Sequence, residues 1–175
     1  MHAKWSSSTA LFVLVLFGGV YVITSYSYLL PKAIKPGGTF DSLWFGIPAT
    51  DRRLFYVSMA LAAIGFVVAF VRFVRDVQWK TFPSLCIPYA IFFTGAVLWT
   101  SSLWWWSFNT YPQLARVSVI LALCITTLGA ALLLREAWVV RKDTVATIGT
   151  ALLLLHVTLF DNLYWARAFW LKSGA

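Results

Sequence analysis

Five long apolar runs without charge divide this chain, and they limit its fold more than any other feature. A helix needs about 20 apolar residues to cross a hydrocarbon core about 30 Å thick. Helices are expected because unpaired backbone groups in hydrocarbon cost several kcal/mol each, and the alternation of a membrane barrel is missing. The sequence predicts an all-α, polytopic transmembrane bundle. Its five spans cover about residues 10–30, 54–71, 83–108, 117–134 and 145–165 of a single membrane domain, 1–175.

The composition supports lipid as the surroundings of most side chains. Hydrophobic residues make up 61% of the chain and charged residues 11%, against about 45–50% and about 25% in soluble domains. This excludes a water-soluble globular domain, intrinsic disorder, collagen, a coiled coil and a disulfide scaffold. Cys86 and Cys124 lie in apolar runs, where a thiol behaves as a small hydrophobic group.

The first span has a secretory signal as its alternative, since Lys4 precedes a short apolar stretch. The stretch continues through Tyr26 and Tyr28 to Leu30, which is longer than the apolar region of a signal peptide. A retained membrane helix is therefore the favoured interpretation.

The segment 31–53 is the longest connection between spans. Prolines and glycines that favour turns surround an apolar patch made of Leu43, Trp44, Phe45 and Ile47. The patch predicts either a lid over the mouth of the bundle or an anchor in the headgroup region, where an indole keeps its ring in acyl chains and its N–H in water. The anchor is favoured.

The net charge of +8 indicates a cationic protein at both membrane faces. Lys and Arg are spread almost equally over the two sets of loops, so the positive-inside rule favours neither orientation. Anionic lipid headgroups are the expected partners of these charges. Nucleic acid is not expected, because the charges sit at helix ends and form no continuous stripe.

Two helical faces of small residues predict close packing. Lipid tails are as apolar as leucine, so membrane helices associate where small side chains let backbones approach. The second span and the fourth span each carry four small residues at intervals of three or four, and we expect both faces to point inward or against a partner chain. They are Ser58, Ala62, Gly65 and Ala69, and Ser118, Ala122, Thr126 and Ala130.

Ten tryptophans make the chain unusually rich in indole. Half of them lie near predicted membrane boundaries, as an aromatic belt requires: Trp5, Trp44, Trp79, Trp138 and Trp170. Trp99 and Trp106 are seven residues apart and share a helix face. A flat apolar ligand such as a tetrapyrrole, sterol or carotenoid could stack on these indoles and on the run Trp104 to Trp106, but an aromatic belt with partner contacts is favoured for the whole set.

Ionisable residues within the spans are few, and the last span carries the clearest ones, His156 and Asp161. An intramembrane ionisable group is a functional candidate by default. Five residues turn an α-helix by about 140°, so we expect no pair between them on one face. A proton relay and an axial haem ligand are the functional alternatives. The single further histidine, His2, and the shortage of carboxylates in the spans argue against a metal site.

The architecture resembles the translocator-protein, or tryptophan-rich sensory protein, family. The likeness consists of five spans, a long first loop, a short turn between the third and fourth spans, and many tryptophans. Tyr28, Leu29 and the pair Lys35 and Pro36 match only the front of that family's loop motif. The family's last helix usually carries a run that begins with Pro-Tyr. The last span here has Leu155, His156, Asp161 and Asn162 instead, and the chain's Pro-Tyr pair, Pro88 and Tyr89, lies on the third span. The resemblance implies binding of sterols or porphyrins within the bundle.

Recognised catalytic signatures are missing from the sequence, including a phosphate loop, a zinc-protease helix and paired cysteines. We therefore expect a non-catalytic integral membrane protein, an accessory subunit that packs against other membrane chains. A ligand-binding bundle is the alternative, with Trp99, Trp106, His156 and Asp161 around a pocket. A small proton or solute carrier is the second alternative.

Overall fold

The computed structural model describes residues 6–34, 37–108 and 111–172. Predictions that involve His2, Lys4, Trp5, Lys35 and Pro36 lie outside these residues.

Five helical rods form the described chain, and each is long and apolar enough to cross a membrane. The prediction of five transmembrane helices is confirmed, and no strand occurs in the described ranges. Helix α1 is Ser7–Ala33, followed by a short 3₁₀ helix, Phe40–Trp44. The middle rods are α2 (Ala49–Asp76), α3 (Phe82–Phe108) and α4 (Pro112–Arg135), and α4 continues into a π-helical turn, Glu136–Val140. The fifth rod joins α5 (Thr144–Leu155), a π-helical segment (His156–Trp165) and α6 (Ala166–Lys172).

The rods are longer than the apolar runs because polar residues cap and extend them. Ser6 accepts a hydrogen bond from the Thr9 amide at the start of α1, and Asp143 caps α5 in the same way. The first span is predicted to end at about residue 30, before Pro31, but α1 continues through Pro31 to Ala33. A proline removes one backbone hydrogen bond, and the last turn is held from outside, since Ser107 Oγ donates to the Ala33 carbonyl at 2.6 Å.

Successive rods run in opposite directions, so the bundle has two ends. We name them the loop end, with residue 34, residues 37–48 and the end of α6, and the turn end, with the connections after α2 and before α5. Helix α3 packs between α1 and α4, while the fifth rod packs on α2 and α4. Helices α1 and α2 show many large apolar side chains on the outside, including Phe17 and Ile64. In a bilayer these side chains face acyl chains.

The interior consists of one apolar cluster toward each end. Tyr89 and Phe73 lie at the centre of the turn-end cluster and are almost fully buried. Phe169 and Leu103 lie in the loop-end cluster. The loop-end cluster includes the apolar patch of the first connection, so that connection is part of the folded bundle.

Candidate functional site

His156 and Asp161 lie side by side near the middle of the fifth rod. Nε2 of His156 is 3.7 Å from Oδ2 of Asp161, so the expectation that they form no pair was wrong. The reason is the π-helical segment His156–Trp165, whose backbone bonds join residues five apart instead of four. Residues five apart therefore stack on adjacent turns. Single π-helical turns occur often at functional sites.

Ser58 of α2 completes this polar group. Its Oγ lies 3.0 Å from Nδ1 of His156, and the hydrogen bond is buried. When Nε2 carries the imidazole proton toward Asp161, Ser58 donates to Nδ1. Phe160 stacks beside the imidazole ring, with 5.8 Å between ring centroids. Both ring nitrogens of His156 thus have polar neighbours from two rods.

Asp161 is less enclosed than His156. Its side chain is 33% exposed, against 11% for His156. Within the described chain, no N–H or O–H group donates a hydrogen bond to its carboxylate. The phenol of Tyr26 on α1 is close enough to interact with it electrostatically. Asp161 lies inside the candidate membrane span Thr144–Lys172, three residues before Tyr164, which meets the first turn of α2 at the loop end.

The indole pair predicted to hold a ligand is packed into the loop-end cluster. Trp99 meets Tyr26 at 5.5 Å and Trp165 at 5.4 Å, both edge to face. Trp106 contacts Phe169 at 5.3 Å. These centroid distances are those of rings in direct contact. The two indoles therefore contact other aromatic rings of the protein, at the position where a ligand was predicted to stack.

Phe45 of the first connection enters the same region. Its ring lies 5.5 Å from Trp106, 5.5 Å from Trp165 and 4.9 Å from Phe169. The indole of Trp165 donates a hydrogen bond of 3.0 Å to the Leu43 carbonyl. The connection therefore lies on the loop end of the bundle and covers the aromatic cluster.

Asn162 is a site residue whose role the sequence did not reveal. Its side-chain amide donates to the carbonyls of Leu123 and Val157, at 3.1 and 3.2 Å, and to Thr127 Oγ1. The bond to Val157 crosses the π-helical segment, and those to Leu123 and Thr127 tie it to α4. A signal was present, since an amide in an apolar span needs partners.

Tyr164 forms a second unpredicted link. Its hydroxyl donates to the carboxylate of Asp51 in the first turn of α2. Its ring stacks on Phe55 at 5.6 Å. A line of polar groups thus runs from the loop end, through Asp51 and Tyr164, toward the His156 pair.

The faces of small residues lie at helix contacts. Ser58, Ala62, Gly65 and Ala69 are all buried, and α2 packs there on the fifth rod. On α4, Ala122, Thr126 and Ala130 are buried, whereas Ser118 is half-buried. Gly95 of α3 approaches Thr126 so closely that a Cβ on Gly95 would overlap its backbone.

Polar groups also gather at the turn end. Arg72 Nε donates to Asp143 Oδ2 at 2.8 Å, and Asp143 Oδ1 accepts from the amides of Val145 and Ala146, at 3.0 Å each. The hydrogen bond from the Ala146 amide contributes most to lowering the pKa of Asp143, and the bonds from Arg72 and Val145 act in the same direction. Burial of the carboxylate acts in the opposite direction. A cavity of about 560 Å³ opens beside this pair.

Among residues 6–34, 37–108 and 111–172, His156 is the only histidine that could serve as a metal or haem ligand. No group of three or more His, Cys, Asp or Glu side chains converges among residues 6–34, 37–108 and 111–172. His156 would have to give up Ser58 or Asp161 to become an axial ligand. Its neighbours favour a proton-sharing role over metal ligation.

No protein-family model, no curated protein and no solved structure matches this chain. The resemblance to the translocator-protein family stays a prediction. The functional argument therefore depends on geometry alone.

Proposed function

We propose that this protein is a non-catalytic integral membrane protein, an accessory subunit that packs against another membrane chain at Asp161. The carrying observation is a carboxylate in a membrane-length apolar span that is 33% exposed, lies 3.7 Å from His156 Nε2 and accepts no hydrogen bond within the described chain. A charged side chain inside a membrane span is costly, by about 2.5–3.5 kcal/mol or more at the bilayer centre, unless polar groups compensate it. A hydroxyl, amide or cationic side chain on a neighbouring transmembrane helix would supply that group.

The outer surface of α3 supports the same proposal. Trp104 and Trp105 are 40% and 37% exposed near the loop end, and Phe108 beside them is 63% exposed. Aromatic side chains are enriched at the centres of protein interfaces. Because Trp99 and Trp106 of the same helix pack inward, the outward-facing indoles are the ones available to a partner.

Site-specific photo-crosslinking tests this proposal. A benzophenone amino acid at Asp161 should crosslink to a second membrane polypeptide in native membranes. The same amino acid at Leu121 of α4, which is 57% exposed, serves as the control. Crosslinks from position 161 to lipid only, or equal polypeptide crosslinking from both positions, would contradict the proposal.

A proton carrier is the second candidate, and the contact between His156 and Asp161 favours it. Asp51 and Tyr164 are hydrogen-bonded at the loop end, Tyr164 follows Asp161 by three residues on the same rod, and His156 bonds to Ser58. Beyond Ser58, α2 continues with Ala62, Gly65 and Ala69 on the same buried face, which offers no side chain that carries protons. The observed line therefore reaches only half-way through the bundle.

A proteoliposome assay separates the two functions. A carrier would dissipate an imposed pH gradient faster than empty vesicles, and Asp161→Asn would abolish that activity. An accessory subunit alone would leave the gradient unchanged. A trapped pH-sensitive dye provides the readout.

A further inference from the structure

The turn end of the bundle holds a cavity whose lining carries an excess of positive charge. Arg72 and Asp76 come from the end of α2, and five consecutive residues come from the turn into α5: Arg141, Lys142, Asp143, Thr144 and Val145. Three of these side chains are cationic and two are acidic. The volume of about 560 Å³ is large enough for a lipid headgroup.

Some charged side chains in this cavity are paired with one another, and Arg141 is not. Asp143 is paired with Arg72 and also accepts two backbone hydrogen bonds. Arg141 has no ion pair within the part of the chain that the structure describes. Its Nε and Nη2 atoms are buried and have no hydrogen-bond acceptor. A buried charged donor without an acceptor is costly, so an anionic ligand that placed an oxygen against the Arg141 guanidinium would remove that cost.

The Arg141 guanidinium is held in place by an aromatic ring. It lies over Phe73, 5.5 Å from the ring centroid, and Phe73 itself is 1% exposed. A side chain fixed in this way loses little conformational entropy when a ligand binds. Arginine donors suit phosphate oxygens especially well.

The depth of the cavity indicates where a phosphate would come from. The turn that lines it lies between the membrane spans ending at Val140 and beginning at Thr144, which is the level of lipid headgroups. A second cavity of about 370 Å³ shares Lys142 and Thr144 and reaches Trp138. Apolar side chains that acyl chains could cover lie beside it and are about half exposed: Val139, Val140, Val145 and Ile148.

We propose that this cavity is a binding site for a phosphate group with a single negative charge, supplied by the headgroup of an anionic phospholipid. The phosphodiester would compensate the Arg141 charge beside Lys142, and the acyl chains would follow the exposed valines. The site is at the opposite end of the bundle from the covered aromatic cluster and does not depend on the accessory-subunit proposal.

Native mass spectrometry of the detergent-solubilised full chain tests the site. Phosphatidylglycerol should remain bound at one equivalent under conditions that remove phosphatidylcholine. Arg141→Gln should weaken phosphatidylglycerol binding about tenfold or more, and Lys142→Gln should weaken it less. The control is Arg75→Gln, an exposed arginine at the same end of α2 that does not line the cavity.

The thermal midpoint provides a second readout that does not depend on mass spectrometry. Phosphatidylglycerol should raise the midpoint of the wild type and of Arg75→Gln, but not of Arg141→Gln/Lys142→Gln. If Arg141→Gln does not fold, the exposed Lys142→Gln variant carries the comparison. Equal retention of both lipids, or equal weakening by Arg75→Gln, would overturn the site. If inorganic phosphate raised the thermal midpoint and the lipid did not, the cavity would bind phosphate but the proposed lipid source of that phosphate would be wrong.

Discussion

Gly65 of α2 and Gly149 of α5 cross backbone against backbone, and neither position has room for a side chain. A Cβ on Gly65 would overlap the Gly149 carbonyl, and a Cβ on Gly149 would overlap the Gly65 carbonyl. This is the closest approach that small residues allow between membrane helices. The crossing lies toward the turn end from Ser58 and His156, so it fixes the two rods that carry the candidate site.

Gly65→Ala should separate α2 from the fifth rod. Overpacking a tight contact costs about 1–3 kcal/mol, and the obstacle is backbone, which cannot rotate away. We expect the free energy of unfolding in mixed micelles to fall by that amount. Gly19→Ala is the matched control, since a Cβ there meets nothing within 4 Å. Equal stability of the two variants would show that the crossing is looser than described.

A double-mutant cycle should detect coupling between His156 and Asp161. Residues in contact couple by about 0.5–3 kcal/mol, whereas independent sites add within about 0.5 kcal/mol. The comparison is a cycle between His156 and Leu163, which is 60% exposed on the same rod. We expect coupling in the first cycle only. A first cycle that is additive would mean that the segment is α-helical and that the side chains lie on different faces.

Replacement of Asp143 separates its capping role from its charge. Asp143→Ala should cost about 1 kcal/mol, because α5 loses its N-cap. Asp143→Asn keeps a capping oxygen and loses only the ion pair with Arg72. Thr144→Ala, next in sequence and exposed, should have little effect.

The difference between the wild type and Asp143→Asn should depend on pH. The pKa of Asp143 is lowered in the folded protein, so its charge stabilises the fold above the unfolded value of about 3.9. This stabilisation is lost as the pH falls through the folded pKa. Thermal midpoints should therefore differ at pH 6 and converge toward pH 3. A difference that grows on acidification would show that the charge is unfavourable in the fold.

Phe45→Ala should release the first connection from the bundle. Phe45 is half-buried and packs on three aromatic rings, so its removal should cost less than the loss of a fully buried Phe, which is about 3–5 kcal/mol. We expect faster proteolysis within residues 34–48. Phe40→Ala in the same connection is the control, since Phe40 is 61% exposed. Equal cleavage rates in the two variants would mean that the connection does not depend on the cluster.

The number of rods and their approximate limits could be predicted from the sequence, because hydropathy over about 20 residues reports transfer into lipid directly. The π-helical segment could not. The Asn162 amide bonds to α4 and, within the segment, to the Val157 carbonyl, and the contacts with α4 exist only after the rods have packed. The pair of His156 and Asp161 was not predicted because the sequence was read with α-helical geometry across this segment.

The aromatic cluster shows a similar limit. The shared face of Trp99 and Trp106 is visible in the sequence, but it does not reveal whether a ligand or another part of the chain lies against it. Phe45 comes from a connection more than 50 residues earlier and has a left-handed backbone conformation, with φ of 48°. Local propensity does not favour that conformation for a bulky residue.

Native mass spectrometry of the protein released from membranes in a gentle detergent tests the proposed function most directly. We predict the 19.7 kDa chain together with a second, different polypeptide, and loss of that polypeptide from Asp161→Leu. A single chain that carries a tetrapyrrole, sterol or carotenoid and no second polypeptide would contradict the accessory-subunit proposal.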